Sequence, residues 1–237
     1  MHYPAGKKSW STLRSLVLTL IVACLCLHCG DGRLNADKAL LESGDFLSAR
    51  VLYERIAAAH PKNFAAHYGL GMTWCAEAIY KTEIGLADPD DWYPAIYQMT
   101  VASHLQASGE ACRTLAVLHF NLGVCYKKIG QVHEAIRRIQ QAVSYDSTLV
   151  KAYNALGALY QEQGDLDKAE NSYRRTLLLK PDYSMAHFNL GALCWARKDF
   201  KGAEQHFLDA VAIEPDNSYF QGWLAKARVA GGNGLLP

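Results

Sequence analysis

A block of sequence recurs three times between residues 116 and 217, at one fixed spacing. In each copy a glycine is followed, at constant distances, first by an alanine and then by a large apolar or aromatic side chain. These positions are Gly123, Ala135 and Ile139; Gly157, Ala169 and Tyr173; and Gly191, Ala203 and Phe207. The period, about 34 residues, is the length of one helix–turn–helix unit. The pattern therefore predicts a stack of helix pairs.

Each copy has the small and large residues expected of two closely packed helices. Gly157 has no side chain, so it permits a second helix to approach, and Ala169 on that helix is small for the same reason. Tyr173 is expected to fill the space between the two helices. The predicted turn is at Gly164 and Asp165, because glycine ends one helix and aspartate caps the next.

The recurring residues resemble the tetratricopeptide repeat (TPR) family, in which a Leu-Gly pair marks the first helix of each unit. Here the pairs are Leu122-Gly123, Leu156-Gly157 and Leu190-Gly191. The resemblance implies an all-α fold, a right-handed α-solenoid of TPR helix–turn–helix repeats with a C-terminal capping helix. The expected organisation is a solenoid at 34–230, with repeats at 34–63, 64–107 (insertion 77–90), 116–149, 150–183 and 184–217, a cap at 218–230 and a tail at 231–237.

The N-terminal residues have the composition of an export signal. Basic residues but no acidic ones occur before position 16, and Leu16–Leu27 is an apolar run interrupted only by Thr19. That run of about 12 residues is too short to cross a bilayer core of ~30 Å as a helix. Its length fits the apolar region of a signal peptide.

Within this run, Ile21-Val22-Ala23-Cys24 resembles the cleavage box of bacterial lipoproteins. The resemblance implies a signal peptide at 1–23, lipid on Cys24 and a linker at 24–33. Cys26 and Cys29 are alternative lipidation sites, and a secretory signal without lipid or an uncleaved anchor is an alternative interpretation. We expect the chain in the bacterial cell envelope, lipid-anchored to a membrane and facing the periplasm, or else periplasmic as a soluble or signal-anchored form.

The side chains that could take part in catalysis do not form a recognisable catalytic motif. The net charge is +1, which offers no basic field for nucleic acid. His67, His119 and His187 occupy one repeat position, and helices of successive repeats lie about 8–10 Å apart, too far for one metal to bind all three at ~2.1 Å. We therefore predict no catalytic residues, no metal site, no cofactor and no small-molecule substrate. Cys125 is predicted to be a small core residue, and whether it pairs with Cys75 is left open.

In the TPR family the first helices line a concave groove that receives peptides or partner helices. Carried onto this sequence, the resemblance implies a groove lined by Tyr68, Met72, Phe120, Asn121, Lys127, Lys151, Asn154, Phe188, Asn189 and Trp195. Aromatic side chains supply contact area, and amides can bind an extended backbone.

The expected function is a non-catalytic scaffold that binds a protein or peptide partner in this groove. The layout resembles lipoproteins that aid assembly of pilus or outer-membrane complexes in the cell envelope. A soluble or signal-anchored adaptor without lipid is the alternative. A metal protein or enzyme centred on the histidines and residues 77–91 is the least favoured interpretation.

Overall fold

The computed structural model describes residues 45–105 and 112–232, and the regular structure in these ranges is entirely helical, which confirms the predicted all-α class. A 3₁₀ turn spans Pro89–Trp92. The α-helices in these ranges are α1 (Phe46–Ala59), α2 (Phe64–Glu83), α3 (Tyr93–His104), α4 (Cys112–Lys128), α5 (Val132–Tyr145), α6 (Val150–Glu162), α7 (Leu166–Leu179), α8 (Ser184–Ala196), α9 (Phe200–Ile213) and α10 (Ser218–Ala230). The predicted signal peptide, Cys24, the linker, the first helix of the first repeat and residues 233–237 lie outside the described residues.

The helices divide into two compact units between Tyr145 and Asp146. The first unit contains α1 to α5, and the second contains α6 to α10. Inside each unit, a helix packs chiefly against the helices that precede and follow it in sequence. Such nearest-neighbour packing is characteristic of repeat proteins, in which each repeat contacts only the adjacent ones.

The predicted contact between small and large residues is present in all three regular helix pairs. A Cβ atom added at Gly157 would lie 2.4 Å from a ring carbon of Tyr173, far inside van der Waals contact. The corresponding distances are 2.4 Å between Gly123 and Ile139 and 2.7 Å between Gly191 and Phe207. The absent side chain therefore sets how closely the two helices of a pair approach.

The same contact identifies the helix pair that carries the insertion. A Cβ atom at Gly71 would lie 2.7 Å from Cγ of Met99, although Met99 follows the glycine at a longer sequence distance than Tyr173 follows Gly157. The additional residues extend α2 to Glu83 and form a turn in which Gly85 has a φ of 73°. The insertion thus leaves the pairing of α2 with α3 intact.

Charged side chains tie the inserted segment to the helices around it. Asp88 accepts a hydrogen bond from the backbone N–H of Asp90 and caps the 3₁₀ turn, as expected for an acidic loop. Lys81 donates to Asp91 at 2.6 Å and also pairs with Glu77 at 3.4 Å, while Glu77 accepts from Arg50 of α1 at 3.2 Å. The hydrogen bond from Lys81 lowers the pKa of Asp91, so this carboxylate is ionised at neutral pH.

The turns between paired helices confirm the prediction made at Gly164 and extend it. Gly130, Gly164 and Lys198 occupy the same position in successive repeats and all take the left-handed conformation, with φ of 76°, 81° and 62°. Asp165 and Asp199 follow and accept hydrogen bonds from backbone N–H groups of the next helix. Lys198 shows that the geometry of the turn is retained where glycine is absent, at a backbone cost of about 1–2 kcal/mol.

We predict that Gly157→Ala and Gly222→Ala change stability in opposite directions. The new methyl at position 157 would collide with the buried Tyr173 ring, so overpacking should lower the free energy of unfolding by about 1–2 kcal/mol after the gain in helix propensity. Gly222, inside α10, has no heavy atom within 4 Å of an added Cβ. Alanine there should therefore raise the free energy of unfolding by about 0.5–1 kcal/mol, because it has a higher helix propensity than glycine. Urea denaturation of both variants measures the difference, and equal effects would refute the packing register.

Candidate functional site

Two of the predicted groove residues in the second unit form an amide pair. Asn189 of α8 donates from Nδ2 to Oδ1 of Asn154 on α6, at 3.1 Å. Both side chains are half-buried, and both lie inside their helices, where asparagine is not a favoured residue. The pair therefore connects the first helices of two successive repeats through polar groups that remain accessible at the surface.

The amide pair retains capacity for further hydrogen bonds. An asparagine side chain has two N–H donors and an oxygen with two lone pairs. The Asn189–Asn154 bond uses one donor of Asn189 and one lone pair of Asn154. The remaining groups match the alternating N–H and C=O groups of an extended backbone.

Phe188, another predicted groove residue, belongs to an aromatic cluster inside the second unit. Its side chain is 8% exposed. Its ring centroid lies 5.3 Å from that of Phe207 on α9 and 5.1 Å from those of Tyr219 and Phe220 on α10. The ring thus joins three helices and leaves little surface for a partner.

Trp195, at the end of α8, is half-buried and lines an open apolar recess between α8 and α10. Its ring lies edge-on to Phe200 and Trp223, with centroid distances of 5.1 Å and 5.7 Å. Lys226 and Val229 of α10 form the opposite side of the recess. This shallow surface was not foreseen from the sequence, because it depends on how the cap packs against the last repeat.

The predicted groove residues of the first unit differ in exposure. Tyr68 and Met72 of α2 are each 3% exposed, whereas Phe120 and Asn121 of α4 are half-buried. Asn121 Nδ2 lies 3.2 Å from the sulfur of Met72, so an asparagine again bridges the first helices of consecutive repeats. Phe120 and Asn121 are thus the accessible members of this set.

The two lysines predicted for the groove are exposed. Lys127 lies in the last turn of α4, in the first unit, and Lys151 in the first turn of α6, in the second. Each unit thus carries one of these cationic side chains. Their charges would favour a partner with acidic side chains.

The three histidines that share a repeat position have different neighbours. His67 lies 3.0 Å through Nε2 from the Pro61 carbonyl and 2.8 Å through Nδ1 from Gln98. The buried His119 ring stacks on Tyr145 with a centroid distance of 5.4 Å. These contacts agree with the predicted structural role of the ring, packed between helices.

His187 is the exception, because two further potential ligands surround it. His206 and Asp209, both on α9, bring their donor atoms within 4.8 Å of that of His187 and of each other. Burial lowers the pKa of His206, and the proximity of His187 lowers it further. His206 and Asp209 were not among the predicted site residues, because they lie on the second helix and not at the repeat position that the three histidines share. Their i, i+3 spacing on one helix was the available signal.

The cysteines of the described residues are free thiols. Sγ of Cys125 lies 3.9 Å from Sγ of Cys75, and both side chains are buried. The contact with Cys75, together with burial, raises the pKa of Cys125 well above its usual value. Cys125 is therefore a protonated thiol in the core, in keeping with its predicted role.

Among the described residues, every helix is too short or too polar to cross a membrane.

Family models identify the repeat pattern from the sequence, independently of the structure. Two models of the tetratricopeptide repeat match the sequence, one at residues 38–76 and 154–218 and the other at residues 118–150. Together they cover more than half of the chain. No curated protein sequence gives a significant match.

Solved structures share the fold. The crystal structure of MamA has 25% identity and a TM-score of 0.63, covering 77% of this chain and 96% of that one. YrrB, a TPR protein with an unusual peptide-binding site, has 19% identity and a TM-score of 0.62, covering 79% and 88%. BtubC from P. vanneervenii has 16% identity and a TM-score of 0.65, covering 80% and 83%. These similarities confirm the fold class, an all-α solenoid of helix–turn–helix repeats.

We predict that His119 makes the protein less stable in mild acid. Burial lowers the pKa of His119 to about 4, with contributions from Arg138 and Arg137, whereas the unfolded chain has the usual value near 6.5. The folded state therefore binds fewer protons. The contribution of His119 to stability is complete above pH 6.5 and is lost as the pH falls toward 4, by up to about 3 kcal/mol.

The measurement is the free energy of unfolding of the wild type and of His119→Phe between pH 8 and pH 4. The difference between the two proteins should be constant above about pH 7 and should shift in favour of the variant below pH 6.5. Parallel curves throughout would contradict the assignment.

Proposed function

Because the chain belongs to the tetratricopeptide repeat family, we propose that it is a non-catalytic scaffold that binds a protein or peptide along the exposed faces of its first helices. The main support is the half-buried amide pair of Asn154 and Asn189, which leaves hydrogen-bonding groups at the surface of two adjacent repeats. Apolar side chains at these helix-interior positions would serve packing equally well. Accessible amides serve recognition of a backbone.

The surroundings of the amide pair support a peptide ligand of mixed character. The exposed Lys151 stands one turn before Asn154 on the same helix and offers a positive charge to an acidic side chain. YrrB, which shares the fold, has a peptide-binding site, so a helix–turn–helix array of this kind accommodates a peptide. Phe188 is excluded from our binding surface because its ring lies in the aromatic cluster.

We further propose that the chain is a lipoprotein, anchored to a membrane through Cys24 and facing the periplasm. The support is the sequence Ile21-Val22-Ala23-Cys24 at the end of an apolar run with basic residues before it. These residues lie outside the described structure. A scaffold tethered in this way would aid the assembly of a cell-envelope complex of the pilus or outer-membrane type.

We predict that the double variant Asn154→Ala/Asn189→Ala loses peptide affinity while remaining folded. Peptides would first be selected from a displayed random library against the wild type. Loss of two hydrogen bonds worth about 1 kcal/mol each should then raise the Kd about 30-fold in fluorescence polarisation. The matched control is Asn171→Ala, an exposed asparagine on the second helix α7, which should leave the Kd unchanged. Selection of no peptide, or equal affinities, would refute the proposed surface.

We predict that Cys24 is the site of lipid attachment. The full-length chain expressed in a bacterium with a labelled palmitate precursor should incorporate label, and Cys24→Ala should abolish it. Cys26→Ala, at the neighbouring candidate site, is the matched control and should retain label. Absence of label from the wild type would favour the soluble or signal-anchored adaptor, and loss of label only in Cys26→Ala would move the attachment site.

A further inference from the structure

We propose that His187, His206 and Asp209 form a binding site for one divalent transition-metal ion of the zinc class. The site lies in the last helix pair, between α8 and α9. It is separate from the amide pair and does not depend on the proposed function. Two imidazole nitrogens and a carboxylate oxygen are a donor set that zinc accepts in proteins.

The distances are close to those of a metal centre. The three donor atoms all lie within 4.8 Å of one another, and His187 Nδ1 is 3.6 Å from Asp209 Oδ2. Tetrahedral ligands about 2.0–2.1 Å from zinc are separated by about 3.4 Å. Small rotations of side chains that are not fully buried would bring the atoms to that spacing. Three protein ligands leave the fourth position open to water or to a side chain of a partner.

A hydrogen bond to the backbone orients the His187 ring as a metal ligand. Its Nε2 lies 2.9 Å from the carbonyl of Pro181, so Nε2 carries a proton, and in the neutral ring Nδ1 presents a lone pair. Histidines that bind metals commonly donate their other ring N–H to a backbone carbonyl in this way. Nδ1 is buried and has no hydrogen-bond partner within the described residues.

A cation would resolve an otherwise unfavourable arrangement of acceptors. Nδ1 of His206 is likewise buried without a hydrogen-bond partner in the described ranges. A lone pair on His187 Nδ1 would face the Asp209 carboxylate, 3.6 Å away, in a partly desolvated space, which is costly. Gln205 donates to Oδ1 of Asp209 at 3.0 Å, which orients the carboxylate while leaving Oδ2 toward His187. An amide in that second position is typical support for a metal ligand.

Comparison of equivalent positions shows why this repeat differs from the others. In the three repeats that have a histidine at this position, the histidine lies near the residue that immediately precedes the large partner of the glycine. It is Gln98 before Met99, Arg138 before Ile139 and His206 before Phe207. The side-chain amide of Gln98 hydrogen-bonds to Nδ1 of His67, which leaves that nitrogen unavailable to a metal. The positive charge of Arg138 would repel a metal from His119. Only the third arrangement offers a second imidazole, so we expect metal binding there and not at the equivalent histidines.

The test is a zinc titration of the untagged full chain in competition with a chromophoric chelator. The wild type should bind one ion that is lost in H206Q, which installs the residue found at the equivalent position of the second repeat. Loss of a ligand should weaken binding by at least about 10-fold. His133→Gln, an exposed histidine on α5, is the matched control and should bind as the wild type does.

A second readout keeps the result independent of folding defects. Saturating zinc should raise the Tm of the wild type and of His133→Gln but not that of H206Q or Asp209→Asn, while the metal-free Tm values should be similar. Equal zinc affinity of the wild type and both ligand variants would overturn the proposal. Absence of saturable binding to the wild type would also overturn it.

Discussion

The contact between a glycine on one helix and a large side chain on the next determines the structure of every complete helix pair in the described residues. At Gly157 and Tyr173 the ring occupies the space where any other residue would place its Cβ atom. This contact fixes how closely the helices approach and which of their residues face outward. The exposure of the Asn154–Asn189 pair and the meeting of His187 with His206 both follow from that register. The surfaces proposed here for binding are therefore consequences of packing.

Much of the fold could be predicted because the packing rule repeats with the sequence. The pairings of Gly123, Gly157 and Gly191 follow from counting residues, and the insertion merely delays the same pairing to Met99. The left-handed conformation of Lys198 could not be predicted from composition, since glycine is the usual residue there. Its position one repeat after Gly164 was the informative signal.

The candidate sites were less predictable because they depend on neighbours outside the repeat register. Phe188 was assigned to a groove by analogy, yet it is covered by Tyr219 and Phe220 from the capping helix. The histidines raised a similar difficulty. Comparing His67, His119 and His187 with each other indicates that no metal can join them, whereas the decisive partner of each lies on the second helix of its own repeat. A comparison across the helix pair, instead of along the stack, identifies the last repeat as different.

The central claim, that the missing glycine side chain and the large partner are physically coupled, is tested most directly by a double-mutant cycle at Gly191 and Phe207. Gly191→Ala adds a methyl group that collides with the Phe207 ring, and Phe207→Val removes most of that ring. The free energy of unfolding would be measured for each single variant and for the double variant. Because the added methyl occupies space that the truncated ring vacates, the double variant should be more stable than the sum of the single effects indicates, with a coupling energy of about 1–3 kcal/mol. Additivity within about 0.5 kcal/mol would mean that the two residues do not oppose each other and would contradict the account.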